Sequence, residues 1–287
     1  EKKNSKIILN FLEFPASIFA GRKNLNIFNY LGVARKNSEL LRIKNIIKEK
    51  SFLSPLILFN AYIYILKVDK IYHKFLTSAK LNFCAAVDSY VKFKDIYKNV
   101  HFSGPLSNDR SNIKKKEHKL PIVLMIGALN SNFMQDSLSM VASIAPRLNE
   151  IYIKKKFKLR IVGKSRPADT ILKNLNYPWV EFAGWVESSS IEYQNATYLF
   201  CPNSVSVGPR TKILESAASK VCIITTTNNI KSFFPYFKNN RDMIIGKNMI
   251  EFCKGFERVL FSKKIRLKMI NSAKKKYIKY HSPDKIF

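Results

Sequence analysis

The chain has 287 residues, with 50 Lys+Arg against 20 Asp+Glu, a formal net charge of +30 and 46% hydrophobic residues. At roughly 150 residues per domain this length indicates two domains, and the ordinary apolar content excludes a disordered basic tail or a low-complexity scaffold. Glycine is scarce, with 9 residues. A glycine at the end of a predicted strand therefore carries more weight than usual.

In the first part of the chain the patterns predict strands at 6–14, 82–87 and 99–105, and helices at 35–50, 69–80 and 88–97. The apolar run 51–68 contains Pro55 and Asn60, which weaken a membrane-spanning interpretation. A core helix is favoured there over a helix that lies in a membrane interface. Residues 1–6 lack the apolar segment of a secretory signal, and the absence of an initial Met suggests a fragment or a processed product.

Residues 106–119 are polar, charged and without periodicity, which indicates a linker. We therefore expect an N-terminal domain at 1–113, a linker at 114–120 and a C-terminal domain at 121–287. In the last of these, helices are predicted at 135–150, 208–220 and 248–281, and six short apolar strands at 121–127, 156–163, 179–184, 196–202, 221–227 and 242–246. Such alternation predicts an α/β fold with a parallel sheet between two layers of helices.

The cysteines and histidines show no ligand spacing. Cys84, Cys201, Cys222 and Cys253 are far apart, so buried free thiols in a reducing compartment are expected. No cluster of His, Cys or carboxylates suggests a metal site, and no cofactor is expected.

The carboxyl ends of the predicted strands are the places to look for a ligand site. They carry Gly127, Gly163, Gly184 and the stretch 203–208, in which Ser204, Ser206 and Gly208 precede a helix predicted to begin with Pro209 and Arg210. The free N–H groups of a helix start attract anions. Arg210 and Lys212 would add two positive charges, and Glu215 lies on the same face as Lys212. These residues suit a nucleotide diphosphate, and an ordinary Lys212–Glu215 surface pair is the alternative.

The segment GPRTKILESAASKVCIITT closely resembles the donor-site helix and following strand of family 4 glycosyltransferases. The matching positions include Gly208, Arg210, Lys212, Ile213, Leu214, Glu215 and Ala218. VLMIGALN resembles the strand and glycine turn that open the C-terminal domain of that family. The likeness covers about 73–285, and the resemblance implies that the N-terminal domain is incomplete and would lack its first strand and glycine-rich loop.

This resemblance implies a GT-B fold, in which two Rossmann-like domains face each other across a cleft. It also implies retaining transfer from a nucleotide sugar without a bound metal. Glu215 would bind the donor ribose, Arg210 and Lys212 would face the diphosphate, and Gly127 would let the backbone approach it, with Ser206 and Gly208 in the same site. Trp185 and Val186 would lie near the base.

Several positions depart from the family pattern. Val207 stands where a second glutamate usually contacts the donor sugar, and Ala128 and Phe133 stand where two cations are common. Asp136 falls where a subset of the family carries an aspartate. The resemblance nominates no catalytic residue.

Three functions follow as hypotheses. The first is a cytoplasmic glycosyltransferase at the inner face of the membrane, which acts on a glycan or lipid-linked acceptor and is attracted by anionic lipids. The second is a non-catalytic homologue that binds nucleotide or glycan. The third is a basic nucleic-acid-binding protein, which the dispersed lysines disfavour.

Overall fold

A computed structural model describes residues 82–84, 87–102, 110, 112–116, 118–205, 210–233 and 235–282, and the single positions 55, 59, 63 and 77. The chain divides into two compact units, residues 1–106 and 107–287. The elements predicted at 6–14, 35–50, 51–68 and 69–80 lie outside the described residues.

In the first unit the described elements form a short parallel pair. Strand β1 (Asn82–Cys84) is followed by helix α1 (Val87–Lys94) and strand β2 (Val100–Phe102). The two strands are parallel, with Asn82 opposite Val100. The predictions for 82–87, 88–97 and 99–105 are confirmed by shorter elements.

The second unit contains a parallel six-stranded sheet in the order β5-β4-β3-β6-β7-β8. All six predicted strands are present, each within its predicted range. The strands are β3 (Ile122–Ile126), β4 (Lys158–Val162), β5 (Val180–Gly184), β6 (Tyr198–Cys201), β7 (Cys222–Thr226) and β8 (Ile244–Gly246).

The helices of this unit are α2 (Asn132–Ser143), α3 (Ala145–Lys154), α4 (Asp169–Asn174), α5 (Ser189–Asn195), α6 (Thr211–Ala218), α7 (Thr227–Ile230), α8 (Met249–Phe261) and α9 (Lys263–Tyr280). The short helices α4, α5 and α7 were not predicted. They are too short to show a helical period in the sequence.

A single helix over 135–150 was the wrong prediction, because the helix breaks at Ile144 and α3 starts there with Pro146 in its first turn. Proline has no N–H to continue the bonding of the preceding helix. The stretch 248–281 is also two helices. Ser262 separates them, and its hydroxyl caps α9 by accepting from the Ile265 N–H.

The core lies on both faces of the sheet, as the α/β prediction requires. Along β3, Val123 and Met125 enter one hydrophobic cluster, whereas Leu124 enters the other. The first cluster packs against α8 through Phe252 and Phe256. Helices pack on both faces, so the central strands β3, β6 and β7 have largely apolar, buried sequences.

The predicted free thiols are confirmed for Cys201, Cys222 and Cys253, which are free and buried. Burial raises the pKa of the Cys222 thiol to about 12 and that of Cys253 to about 11. These thiols stay protonated and unreactive near neutral pH. Among the described residues, no helix is both long and apolar enough to cross a bilayer.

Candidate functional site

The order of the six strands reverses between β3 and β6. From β3 the chain adds β4 and β5 on one side, and then returns to β6 and adds β7 and β8 on the other side. A crevice opens outside the carboxyl ends of the strands at such a reversal, and ligands of open parallel sheets bind there. The residues that follow β3 and β6 therefore define the candidate site.

Gly127 follows β3, and Lys212 of α6 reaches it. The Lys212 ammonium donates to the carbonyl of Ile126, and a Cβ added to Gly127 would lie 3.1 Å from Lys212 Nζ. Burial lowers the pKa of Lys212 to about 8. The structure thus brings together two of the predicted site residues at the switch point, and the ammonium lies in a poorly solvated place.

Backbone packing positions the Gly127 turn. The Gly127 N–H donates to the carbonyl of Val162 at 3.0 Å, and a Cβ on Gly163 would lie 1.7 Å from the Gly127 carbonyl oxygen. Gly163 therefore permits the close approach of the ends of β3 and β4. The sequence indicates this close approach, because a glycine directly follows each of two neighbouring strands: Gly127 follows β3 and Gly163 follows β4.

Arg210 lies beyond the end of β6 and precedes α6. Its Nη2 donates to Asn203 Oδ1 at 2.7 Å, and its guanidinium carbon is 5.2 Å from the centroid of the Phe133 ring. The Arg210 Nε is buried and has no hydrogen-bond partner among the described residues. The aromatic ring and the amide hold the cation in place and leave a donor for a ligand.

The predicted start of this helix at Pro209 and Arg210 was wrong. The helix begins at Thr211, and Arg210 is the N-cap with an extended backbone, φ −83° and ψ 97°. Arg210 thus precedes the helix, and its side chain contacts Asn203 and the Phe133 ring. Ser206, Val207, Gly208 and Pro209 lie outside the described residues.

Asp136 of α2 organises the chain that follows β6. Its carboxylate accepts from the Ser204 N–H at 2.8 Å, from Ser204 Oγ at 2.7 Å and from Asn203 Nδ2 at 3.3 Å. Because Asn203 in turn accepts from Arg210, Asp136 orients the cation through the amide. Asp136 is thus a positioning residue for Arg210 within the candidate site.

Glu215 lies one turn along α6 and pairs with Arg110, which the sequence placed in a linker and did not single out. Arg110 Nε is 3.2 Å from Glu215 Oε2. Arg110 also donates to Ser190 Oγ and, at 2.8 Å, to Ser189 Oγ, and it stacks over the Tyr193 ring. No local pattern around Arg110 indicates this pairing.

Trp185 and Val186 follow β5, two strands from β3 in the sheet. Trp185 is 67% exposed, and Gly184 before it has φ +70°. Adjacent strands lie about 4.8 Å apart, so the backbone at Trp185 is on the order of 10 Å from the end of β3. That spacing leaves room for a nucleotide along the carboxyl edge of the sheet.

The sequence of this sheet has recognisable relatives. Residues 120–260 match the family described as glycosyl transferases, group 1. The matched stretch covers just under half of the chain. It includes every described residue of the candidate site except Arg110. No curated protein matches the whole sequence significantly.

Solved glycosyltransferases share the fold of the chain. A point mutant of S. aureus TarM superposes with a TM-score of 0.63 at 12% identity, over 77% of this chain and 45% of TarM. Anabaena HepE superposes with a TM-score of 0.59 at 8% identity, over 73% of this chain and 62% of HepE. A glycosyltransferase from Rickettsia africae superposes with a TM-score of 0.57 at 11% identity, over 92% of this chain and 95% of that protein. The chain spans less than half the length of TarM.

This likeness confirms the predicted fold class, α/β of the GT-B type. The stretch that matches group 1 glycosyl transferases therefore carries the candidate site, at the switch point of a Rossmann-like sheet. Assignment to family 4 and the domain boundaries at 113 and 121 stay predictions.

Proposed function

We propose that the protein transfers a sugar from a nucleotide-sugar donor to a glycan or lipid-linked acceptor, with retention of the anomeric configuration and without a bound metal or cofactor. The observation that supports this most is the contact of Lys212 with the Gly127 turn, with Arg210 held by Asn203 beyond the end of the neighbouring strand β6, inside the stretch that matches group 1 glycosyl transferases.

Two partly buried cations, Lys212 beside the glycine turn and Arg210 beyond the end of β6, suit a diphosphate. Lys212 supplies a point charge, and Arg210 supplies the buried Nε donor. Because Gly127 has no side chain, a phosphate can approach its backbone. The diphosphate would bind here, with Ser206 and Gly208 predicted to complete the site.

Glu215 is proposed to accept from the ribose hydroxyls, since it lies one turn from Lys212 along α6. Trp185 and Val186 are proposed for the base side. The S. aureus TarM mutant was crystallised with UDP, fondaparinux and α-GlcNAc-glycerol, and HepE with UDP. A uridine nucleotide is therefore the first donor to test.

The reaction breaks the bond between the anomeric carbon and the diphosphate oxygen, and forms a bond from that carbon to an acceptor hydroxyl oxygen. Negative charge develops on the departing diphosphate, which takes up the proton that the acceptor hydroxyl releases as the new bond forms. Lys212 and Arg210 would stabilise this charge in a poorly solvated site, where fixed cations act most strongly.

The proposal also places the protein in the cytoplasm, at the anionic inner face of a membrane. The charge of +30 supports this placement, since basic groups gain about 1 kcal/mol each near such a surface. A lipid-linked acceptor would be met there.

Calorimetric titration with UDP, GDP and ADP at two salt concentrations tests the donor site. We expect one nucleotide to bind tightly, and Lys212→Met to weaken it at least tenfold. Lys173→Met, which removes an exposed lysine of α4, is the matched control. No binding by any nucleotide would refute the proposal.

Transfer is tested separately, by following UDP release from UDP-sugars with glycan and lipid-linked acceptors. Tight nucleotide binding without release or transfer would favour the non-catalytic homologue. Binding of oligonucleotides that falls steeply with salt, without nucleotide selectivity, would favour the nucleic-acid-binding alternative.

A further inference from the structure

A second cavity lies at the opposite end of the sheet from the candidate site. Its volume is about 340 Å³, within the range of about 300–1,000 Å³ that small-molecule sites occupy. Pro121 and Thr197, which directly precede β3 and β6, line it together with α9. Nothing in the proposed transfer reaction uses this end of the sheet.

The cavity is lined by cations. Its charged residues are Lys115, Lys116, Lys220, Lys263 and Arg266, and its lining includes no Asp or Glu. Like charges around one cavity repel each other within a Debye length of about 8 Å. A bound anion would remove this repulsion, so the lining favours an anionic ligand.

Two of the cations are held in place before any ligand arrives. The Lys115 ammonium donates to the carbonyl of Tyr193 at 2.7 Å and to that of Ala196, at the carboxyl end of α5. Arg266 donates from Nη1 to the hydroxyl of Tyr198 at 2.7 Å. Such contacts reduce the entropy that a ligand must remove on binding.

The backbone of Lys220 gives an independent indication that the cavity binds a ligand. Its φ is +55°, a left-handed conformation that directly follows the C-cap of α6 and that glycine adopts most readily. A side chain there costs about 1 kcal/mol relative to glycine. A strained residue that lines a cavity suggests that its side chain serves a ligand there.

We propose that this cavity binds a phosphate group, either of a soluble phosphate compound or of a lipid head group. Lys220, Lys263 and Arg266 contact the phosphate oxygens, and Lys115, which also lines the cavity, supplies further positive charge. The site is separate from the donor site and does not depend on the proposed transfer activity.

The test uses inorganic phosphate, titrated calorimetrically into the full chain at constant ionic strength. We expect Lys220→Gly to weaken phosphate binding about fivefold or more while the melting temperature stays level or rises, because the left-handed strain is relieved. Lys263→Gln should weaken binding similarly. Lys264→Gln removes a neighbouring exposed lysine that does not line the cavity, and should leave binding unchanged.

Vesicles distinguish the two sources of the phosphate. A lipid head group would be assigned if the protein binds phosphatidic acid vesicles but not phosphatidylcholine vesicles. In that case Lys220→Gly and Lys263→Gln should weaken the vesicle binding, and Lys264→Gln should leave it unchanged. Phosphate binding without such vesicle binding would assign a soluble ligand. Undetectable phosphate binding, or equal affinity in the wild type and both cavity variants, would overturn the proposal, whatever the affinity for UDP.

Discussion

Arg110 and Glu215 form a nearly buried ion pair, 3.2 Å apart, with side chains that are only 6% and 12% exposed. The pair joins the segment before β3 to helix α6, which carries the proposed cations of the donor site. Charges removed from water are stable only while both partners remain. The position of α6 therefore depends on a residue outside the helix and outside the sheet.

Removal of one partner should destabilise the fold. We expect Arg110→Met to lower the free energy of unfolding by about 3 kcal/mol, because it leaves the Glu215 carboxylate buried without its cation. The double variant Arg110→Met, Glu215→Gln should lose less than the sum of the two single variants. Urea denaturation measures all four proteins.

Arg166→Met is the control for that cycle, because it removes an arginine that pairs with Asp169 at the surface, where the two side chains are 76% and 86% exposed. It should change stability little. A double-mutant cycle without coupling would show that Arg110 and Glu215 act independently.

Gly163→Ala should be far more disruptive than Gly184→Ala. A Cβ on Gly163 would lie 1.7 Å from the carbonyl oxygen of Gly127, whereas one on Gly184 meets nothing within 4 Å. The first clash involves backbone and cannot be relieved by a rotamer, so a loss of several kcal/mol is expected. Gly184→Ala should cost about 1 kcal/mol for its left-handed backbone. Thermal and urea unfolding of both variants measure the difference, and equal losses would contradict it.

Nucleotide affinity should depend on pH through Lys212, whose pKa burial lowers to about 8. Below pH 8 the ammonium is charged and can bind the diphosphate. Above pH 8 it loses its proton, so affinity for UDP should fall up to about tenfold per pH unit. Titrations between pH 6.5 and pH 9.5 measure this, and Lys212→Met, which has no ammonium, should give a flat profile at weaker affinity.

His281 should make the fold sensitive to acid. It is buried against Phe237, with ring centroids 5.6 Å apart, and burial lowers its pKa from 6.5 to about 4. Between these values the unfolded chain binds a proton that the folded chain does not. His281 therefore has no effect on the free energy of unfolding above pH 6.5. As the pH falls from 6.5 towards 4, His281 lowers that free energy by on the order of 3 kcal/mol.

His281→Phe isolates that contribution, because it keeps the aromatic packing and removes two buried ring nitrogens that have no hydrogen-bond partner among the described residues. The variant should lose less stability than the wild type in urea denaturation between pH 6.5 and pH 4.5. Identical pH profiles would exclude His281 as a source of the acid sensitivity.

Trp185 should report nucleotide binding by fluorescence. The chain has two tryptophans; Trp179 is 1% exposed and Trp185 is 67% exposed. A base that stacks near Trp185 would change its emission and protect it from acrylamide, whereas Trp179 is already shielded. Trp185→Phe should abolish the signal without preventing binding measured by calorimetry. Unchanged Trp185 emission at saturating nucleotide would remove it from the base side.

The strands and the fold class could be predicted because their signals are local. The strands β3, β6 and β7 are short, largely apolar runs that both faces of the sheet bury, as in IVLMI at Ile122–Ile126. Helices as short as α4 and α5 have too few turns to show a helical period in the sequence. The hydrophobic spacing over 135–150 predicted one continuous helix, whereas the structure has a break before Pro146.

The candidate site was predictable where a residue type itself indicates the chemistry. Gly127 and Gly163 indicate strand ends at which two backbones approach closely. Lys212 places a positive charge in the helix that follows β6. The parallel sheet then gathers such ends along one edge. The sequence by itself thus determined an α/β domain, and it nominated the residues that are proposed to hold a diphosphate.

Only the tertiary structure decided which partners those residues take. It joined Arg110 to Glu215, Lys212 to Ile126 and Asp136 to the loop that orients Arg210. It also gathered Lys115, Lys220 and Lys263 around one cavity. Pairings between residues many positions apart leave no period in the chain, because they depend on how the helices pack against the sheet rather than on neighbouring residues.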